Sequence, residues 1–199
     1  MEQIIKKPLQ IGLTGGIGSG KTTISNIFKY LGVPVFNSDN ISKELITTNQ
    51  HIIQSIIKEF DKSIIQDNVI NTKLLAKIVF SNKHKLKILN SIIHPHVLQK
   101  FDDWVLKQNG KYIIKESAIL FESNTYQKLN KIILVKSPLE MRIKRVCKRD
   151  DRTENDVKRI INNQIDQDEY MPHIDYVIHN DQELLLPKII RLEKTLSDL

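Results

Sequence analysis

The sequence predicts an α/β protein with a parallel, doubly wound sheet, because apolar runs of strand length alternate with segments of helical period. Leu9 to Thr14 is an apolar run that ends in two glycines, which indicates a buried strand entering a turn. From Lys21 the apolar residues recur every three or four positions, which indicates a helix. A second strand over 34–37 completes a strand–helix–strand unit, whose two strands are expected to be parallel.

After residue 40 the pattern becomes helical for a long stretch. Amphipathic runs fill residues 40–110 without a convincing strand, and we therefore expect a helical insertion there. The alternation of strands and helices resumes beyond it. Strands are predicted at 112–115, 131–136 and 176–178, and helices at 139–148, from the capping residue Thr153 to about Gln167, and at 185–196.

Composition limits the classes of protein to which this chain can belong. With 199 residues and 40% hydrophobic content, it is long enough for one globular body with its own core. No apolar run approaches the roughly 20 residues that a membrane span requires, so we expect no membrane partner. The single cysteine, Cys147, cannot form an internal disulfide, and residues 1–7 lack the features of a signal peptide. We therefore expect a cytoplasmic location.

The net charge of +7 and the isoelectric point near 9.3 raise the question of an anionic partner. A nucleic acid and a phosphate-rich substrate would both account for this charge, and so would a lysine-rich composition without any functional meaning. Charge alone does not decide among the three.

The clearest functional signal is the pattern G-x-x-x-x-G-K-[ST], which Gly15, Gly20, Lys21 and Thr22 satisfy between the first strand and the first helix. Glycines let the backbone turn tightly and approach a polyphosphate, toward which successive N–H groups and the helix N-terminus point. The lysine adds a charge on the β- and γ-phosphates, and the threonine hydroxyl can ligate Mg²⁺. The sequence therefore predicts an ATP site made by Gly16, Ile17, Gly18, Ser19, Gly20, Lys21, Thr22 and Thr23.

Three classes of nucleotide-binding protein share such a loop: kinases, nucleotide-driven motors and GTP switches. A switch would need an Asn-Lys-x-Asp motif, and the chain has none. A motor would need a pair of acidic residues at a strand end, where the sequence offers only Glu116. A kinase needs an acceptor-binding insertion and an arginine-bearing lid, and both have candidates here.

Several further segments resemble one kinase family, the dephospho-coenzyme A kinases. The phosphate loop over 13–23 is similar nearly letter for letter, and Asn37-Ser38-Asp39 falls where the family has Asp-Ala-Asp. Leu89-Asn90 with Ile93-His94-Pro95 resembles the signature of its helical domain, and residues 118–122 resemble its Pro-Leu-Leu-Phe-Glu turn. The resemblance extends to the lid and to the last strand through Arg145, Arg149, Asp150, Gln164, Asp175, Ile178 and Asn180.

The chain departs from the family pattern at several positions outside the phosphate loop. Asn37 stands for an aspartate, Lys43 for an arginine, and Arg142 for a glutamine of the lid. Thr72 stands where an arginine is expected and Ala118 where a proline is expected.

The resemblance implies roles for residues whose sequence context alone leaves two interpretations open. Asp39 follows the second strand, and it is either the base for the acceptor hydroxyl or an N-terminal cap for a helix beginning at Asn40. Arg145 and Arg149 share a helix face, either as part of a lid over ATP or as a solvated basic surface. We assign the catalytic roles to Asp39, Lys21, Arg145 and Arg149, and we interpret Arg142, Lys144 and Lys148 as solvated.

The remaining site predictions concern the acceptor, the nucleotide and the metal. Thr14, Asp39 and His94 are predicted to contact the acceptor, Asn180 the nucleotide, and Thr22 the Mg²⁺ ion. His94-Pro95-His96 is not interpreted as a metal site, because alternate residues do not share a helix face and Pro95 is typical of a helix start. Glu116 could equally hold a Mg²⁺-bound water or act as a capping carboxylate.

The family resemblance implies a three-layer P-loop kinase fold with a parallel sheet, a helical acceptor-binding insertion and a helical lid. We expect the nucleotide-binding core over 1–44, 111–144 and 170–199, the dephospho-coenzyme A domain over 45–110, and the lid over 145–169. The implied reaction moves the γ-phosphoryl group of ATP to the ribose 3′-hydroxyl of dephospho-coenzyme A with Mg²⁺.

Two other functions remain as rivals: a nucleoside or nucleoside-monophosphate kinase, and a nucleotide-gated module that binds nucleic acid through its lysines. The chain lacks basic stripes interleaved with aromatic residues, which argues against nucleic acid. We expect a monomer or a weak homo-oligomer.

Overall fold

The computed structural model describes residues 7–60, 62–67 and 69–199 of the chain. The chain divides into two compact units. The first unit combines the chain up to Asn37 with Asp103–Leu199, and the second is Ser38–Asp102. The lid predicted over 145–169 belongs to the first unit by this division. No helix among the described residues is long and apolar enough to cross a bilayer.

Strands and helices alternate as the sequence pattern predicts, apart from the helical stretch in the second unit. The elements up to that point and through it are β1 (Leu9–Thr14), α1 (Lys21–Tyr30), β2 (Val35–Asn37), α2 (Ser38–Thr48), α3 (Gln50–Phe60), β3 (Ile65–Gln66), β4 (Val69–Ile70), α4 (Thr72–Phe80) and α5 (Lys83–Val105). The chain then continues through β5 (Tyr112–Glu116), β6 (Lys131–Lys136), α6 (Leu139–Asp150), α7 (Glu154–Asn163), β7 (Tyr176–His179) and α8 (Leu185–Ser197).

The main sheet has five parallel strands in the order β2-β5-β1-β6-β7, which confirms the predicted parallel α/β architecture. Its register brings the carboxyl ends of β1, β2 and β5 level, because Leu13 and Asn37 both lie opposite Glu116. β1 lies between β5 and β6 in the sheet. The chain continues from β1 to β2 on one side, and it later crosses from β5 to β6 on the other side. Crevices of this kind, at the carboxyl ends of the strands, are where open α/β sheets bind ligands.

Both faces of the sheet are buried, as expected of parallel strands covered by helices. One face packs under α1 and α8, where Ile24, Phe28, Ile189 and Leu196 join strand residues such as Ile11 in one apolar cluster. The alternate strand residues are also buried but point the other way, among them Ile113, Ile132 and Leu134. This packing fixes the strand ends that carry the functional residues.

The second unit is not purely helical. We predicted no strand between residues 40 and 110, and this is wrong, because β3 and β4 pair as a short antiparallel ladder. Each of these strands has only two residues, too few for an alternating pattern to be recognised in the sequence. Pro95 also lies inside α5 and not at a helix start, which corrects the sequence interpretation.

Two helix ends in the first unit differ from the predicted boundaries. α6 continues through Arg149 to Asp150, and it stops where Asp151 takes a left-handed conformation with φ of 50°. The predicted cap at Thr153 is confirmed, since its side chain accepts a hydrogen bond from the backbone N–H of Asp156. α7 ends at Asn163, short of the predicted Gln167, because Gln164 has an extended backbone.

Candidate active site

The loop between β1 and α1 folds back on itself before the helix begins. The Ser19 N–H donates to the Gly16 carbonyl at 3.1 Å, and Gly20 takes a left-handed conformation with φ of 99° at the N-cap of α1. Lys21 is the first residue of the helix, and its Nζ donates to the Gly15 carbonyl at 2.7 Å and to the Gly16 carbonyl at 3.3 Å. The loop is thus closed around the ammonium group that was predicted to bind phosphate.

Thr22 and Thr23 follow in the first turn of α1, on its exposed side. The Thr22 hydroxyl donates to Glu116 Oε1 at 2.9 Å, and Glu116 Oε2 accepts from the Ser25 hydroxyl at 2.7 Å. The Asn37 amide donates to Glu116 Oε2 at 2.6 Å. A carboxylate that is only 1% exposed therefore links the ends of β2 and β5 to the start of α1.

Asn180, just beyond β7, also contacts the loop. Its Nδ2 donates to the Ser19 carbonyl at 2.7 Å in a buried contact. A Cβ on Gly20 would overlap this amide group, so the loop needs a glycine there. The structure thus brings Asn180 against the segment predicted to bind ATP, although its contact is with the loop backbone.

Arg145 of α6 also contacts the loop and Asn180. Its guanidinium donates to the Ser137 hydroxyl at 2.9 Å and lies 3.4 Å from both the Gly18 carbonyl and Asn180 Oδ1. Arg149, one turn further along, is different. It forms two hydrogen bonds with the carboxylate of its neighbour Asp150, at 2.7 and 2.8 Å, and its side chain is 62% exposed. These bonds raise the pKa of the Arg149 guanidinium.

Two further residues form hydrogen bonds with the backbone of the loop residue Ile17. The Ile17 N–H donates to Gln164 Oε1 at 2.9 Å, and Arg142 Nε donates to the Ile17 carbonyl at 2.9 Å. The Ile17 side chain also packs against the apolar cluster between α6 and α7. Our interpretation of Arg142 as a solvated residue is therefore wrong, because it is half-buried and bonded to the loop.

A cavity of about 610 Å³ lies beside the loop in the first unit. Residues from the loop, from the end of β6, from α6 and from the segment after α7 line it, including Gly16, Ser19, Lys136, Arg142 and Gln164. Thr14 and Ser19 each carry a hydroxyl that is buried and has no hydrogen-bond partner among the described residues. Buried hydroxyls are normally paired, so this edge of the loop is suited to a polar ligand.

Asp39 and His94 belong to the second unit. Asp39 lies half-buried in the first turn of α2, two residues beyond Asn37 in the chain. That helix begins at Ser38, so Asp39 is not an N-terminal cap for a helix starting at Asn40, which removes that interpretation. His94 is half-buried within α5.

Sequence reasoning missed the roles of several loop contacts. Asn37 was noted only as a departure from a family pattern, Arg142 was interpreted as a solvated departure, Glu116 was left between two interpretations, and Gln164 was noted only as part of the lid pattern. Their partners are distant in sequence: 125 residues separate Arg142 from Ile17, and 147 separate Gln164 from it. The only available signal was the strand-end position of Glu116.

Comparison with known proteins identifies relatives of the chain. A model of the dephospho-CoA kinase family matches residues 9–185. The dephospho-CoA kinase of Fusobacterium nucleatum subsp. nucleatum is 36% identical over 189 residues, which cover 94% of this chain and 97% of that protein. Among solved structures, TT1252 of Thermus thermophilus aligns with a TM-score of 0.82 and 27% identity, covering 98% of this chain and 99% of that one.

The solved dephospho-CoA kinase of Campylobacter jejuni is also similar, with a TM-score of 0.68, 27% identity, and coverage of 95% of this chain and 97% of that chain. The family model spans most of the chain, including the phosphate loop, Glu116, α6 and Asn180. The chain belongs to the dephospho-CoA kinase family.

Proposed function

We propose that this kinase transfers the γ-phosphoryl group of ATP to the ribose 3′-hydroxyl of dephospho-coenzyme A, giving coenzyme A and ADP. The observation that carries the proposal is the match of the dephospho-CoA kinase family to residues 9–185, and the Arg145 guanidinium 3.4 Å from the Gly18 carbonyl of the loop is consistent with it. Phosphoryl transfer depends on positive charge placed around the migrating group.

Asp39 is the proposed base. It would accept the proton of the attacking hydroxyl while the oxygen bonds to the γ-phosphorus and the bond to ADP breaks. Its position supports this role, because β2 ends at Asn37 at the same sheet edge as the loop, and Asp39 follows two residues later. Positioned bases of this type contribute about 10²–10⁴ in rate.

Lys21, Arg145 and Arg149 are proposed to stabilise charge on the phosphates. Lys21 is only 8% exposed and now contacts loop carbonyls, so phosphate oxygens would take over from the Gly15 and Gly16 oxygens. Arg149 would exchange one exposed carboxylate partner for the phosphoryl group. Thr14 and His94 are proposed to contact the acceptor, and Asn180 the nucleotide.

Mg²⁺ is part of the proposal, and the residues fit it. Thr22 offers a hydroxyl oxygen, and Glu116 offers a carboxylate oxygen that already contacts that hydroxyl at 2.9 Å. Magnesium favours such oxygen ligands and is held by few protein groups together with substrate phosphates. This agrees with the finding that no cluster of three or more His, Cys, Asp or Glu residues suited to a metal occurs among the described residues. When bound, the ion would neutralise charge on the β- and γ-phosphates.

The cellular setting is proposed on chemical grounds. A chain with one cysteine forms no internal disulfide, which suits the reducing cytoplasm. We further propose that it acts as a monomer or a weak homo-oligomer, without nucleic acid.

An acceptor panel tests the proposal. The purified protein is mixed with ATP, Mg²⁺ and either dephospho-coenzyme A, nucleosides or nucleoside monophosphates, and ADP release is measured. We expect stimulation by dephospho-coenzyme A, with the new phosphate on the 3′-oxygen by phosphorus NMR. Stimulation by nucleosides or nucleoside monophosphates alone would overturn the assigned acceptor. Absence of turnover together with steeply salt-dependent nucleic-acid binding would favour the binding module.

A further inference from the structure

Arg142 lies in α6 with its guanidinium against the phosphate loop. Its Nε donates to the Ile17 carbonyl at 2.9 Å. A Cβ built on Gly16 would overlap Nη2 and would lie 2.6 Å from Cζ and 3.1 Å from Nη1. The guanidinium therefore covers the space that a side chain at position 16 would fill, and the glycine makes room for it.

The guanidinium of Arg142 is not paired with a carboxylate of the described chain, although Asp166, Asp168 and Asp181 line the same cavity. Within residues 7–60, 62–67 and 69–199, the Arg142 side chain forms no ion pair, and the hydrogen bond seen for its guanidinium is the one from Nε to the Ile17 carbonyl. Burial lowers the pKa of this guanidinium, which still stays charged at neutral pH. The side chain is half-buried, and its Nη1 and Nη2 atoms have no protein acceptor among the described residues, so an anionic ligand in the cavity can replace water as their partner.

The two other arginines of α6 already have side-chain partners, neutral ones for Arg145 and a carboxylate for Arg149. Arg145 is held by Ser137 and Asn180, and Arg149 by Asp150. Arg142 also lines the cavity of about 610 Å³, together with the loop residues Gly16 and Ser19. Its Nη1 and Nη2 groups are therefore beside the place where a nucleotide on this loop would carry its phosphates.

We propose that Arg142 is a phosphate-binding residue of the ATP site, with Nε holding the Ile17 carbonyl and the Nη groups contacting the polyphosphate. This inference rests on the proposed function only in taking ATP as the ligand. The family pattern has a neutral glutamine at this position, which can keep the bond to Ile17 but not the charge. Arg142 would thus give this chain an additional charged contact to its nucleotide.

Titration calorimetry of the full-length protein tests the proposal with two ligands, ATP and inorganic tripolyphosphate, in metal-free buffer. Arg142→Gln removes the charge and Arg142→Lys keeps it. Lys144→Gln is the matched control, because it removes the same charge from an exposed position of the same helix. Circular dichroism and a thermal melt show that each variant is folded.

We expect Arg142→Gln to raise the Kd of both ATP and tripolyphosphate by about tenfold or more, as for the loss of a charged hydrogen bond. Arg142→Lys should recover part of this loss, and Lys144→Gln should bind both ligands as the wild type does. An effect on ATP but not on tripolyphosphate, equal binding by wild type and Arg142→Gln, or no tripolyphosphate binding by the wild type would each overturn the proposal. The titration involves no acceptor, so a wrong acceptor assignment would leave its result unchanged.

Discussion

Asn37 donates its side-chain amide to the Glu116 carboxylate at 2.6 Å, and this bond joins the carboxyl ends of β2 and β5. The family pattern places an aspartate at position 37, so the amide replaces what would be a second carboxylate. The same Glu116 accepts from the Thr22 hydroxyl, the proposed magnesium ligand. The Asn37–Glu116 pair therefore connects the carboxyl end of β2, which precedes Asp39 in the chain, to Thr22 at the end of the phosphate loop.

Asn37→Asp should lower the free energy of unfolding relative to the wild type, by an amount that grows as pH rises. Two carboxylates at this distance repel, which raises the pKa of the introduced carboxyl in the folded state above its value in the unfolded chain. At this carboxyl the folded state then binds more protons than the unfolded state between the two pKa values, so the variant's loss of stability relative to the wild type is smallest at low pH and grows as pH rises. At a pH above both pKa values, each unit by which the folded-state pKa is raised lowers the free energy of unfolding by about 1.4 kcal/mol.

Urea unfolding of Asn37→Asp at pH 5 and pH 8 in metal-free buffer measures this effect. Asn40→Asp adds the same charge at an exposed position of α2 and serves as the control. A difference between variant and wild type that is the same at both pH values would contradict the argument. Added Mg²⁺ should reduce the loss at pH 8, because a cation screens the repulsion.

Asp39→Asn should lower kcat by about 10²–10⁴ and leave ATP binding nearly unchanged, since the amide cannot accept the hydroxyl proton. Steady-state kinetics and ATP titration provide the two readouts. Glu44→Gln, an exposed change on the same helix, should behave as wild type. Turnover of Asp39→Asn within a few-fold of wild type would show that the base is another group.

Arg149→Ala should lower kcat more than it raises the KM for ATP. Its guanidinium is mostly exposed and bonded to Asp150, so its phosphate contact would form mainly in the transition state. Kinetics with ATP as the varied substrate separate the two effects, and Lys148→Ala is the neighbouring control. If the KM rises while kcat stays constant, Arg149 binds ground-state ATP and is not part of the transition-state machinery.

The sequence predicted those features that depend on local pattern. The glycines, lysine and threonine of the phosphate loop form a continuous motif, and apolar periodicity located the five parallel strands of the main sheet. The Thr153 cap was also predictable, because a cap is formed by residues three positions apart.

Contacts between distant segments were not predictable in this way. Arg142 has the same local context as the exposed Lys144 and Lys148, and only the packing of α6 on the loop distinguishes it. Asn37 meets Glu116 because β2 and β5 are neighbours in the sheet, although 79 residues separate them. The small ladder of β3 and β4 has too few residues for an alternating signal.

Gly18→Ala should destabilise the protein much more than Gly32→Ala, although both glycines have left-handed backbones, with φ of 76° and 84°. An alanine Cβ at position 32 would meet nothing within 4 Å, so it adds only the backbone strain of about 1–2 kcal/mol. At position 18 it would lie 2.5 Å from the Arg142 carbonyl and 2.9 Å from Val146 Cγ2. These atoms belong to α6, one of them to its backbone, so relieving the clash requires the helix and the loop to separate.

Urea unfolding of the two variants isolates this contact, because the strain is common to both and the clash is not. We expect Gly18→Ala to lose about 1–3 kcal/mol beyond the loss in Gly32→Ala, the usual cost of overpacking. It should also weaken ATP binding, since α6 carries Arg142 and Arg145, whereas Gly32→Ala should bind ATP normally. Equal losses of stability in the two variants would mean that α6 does not pack on the phosphate loop in solution.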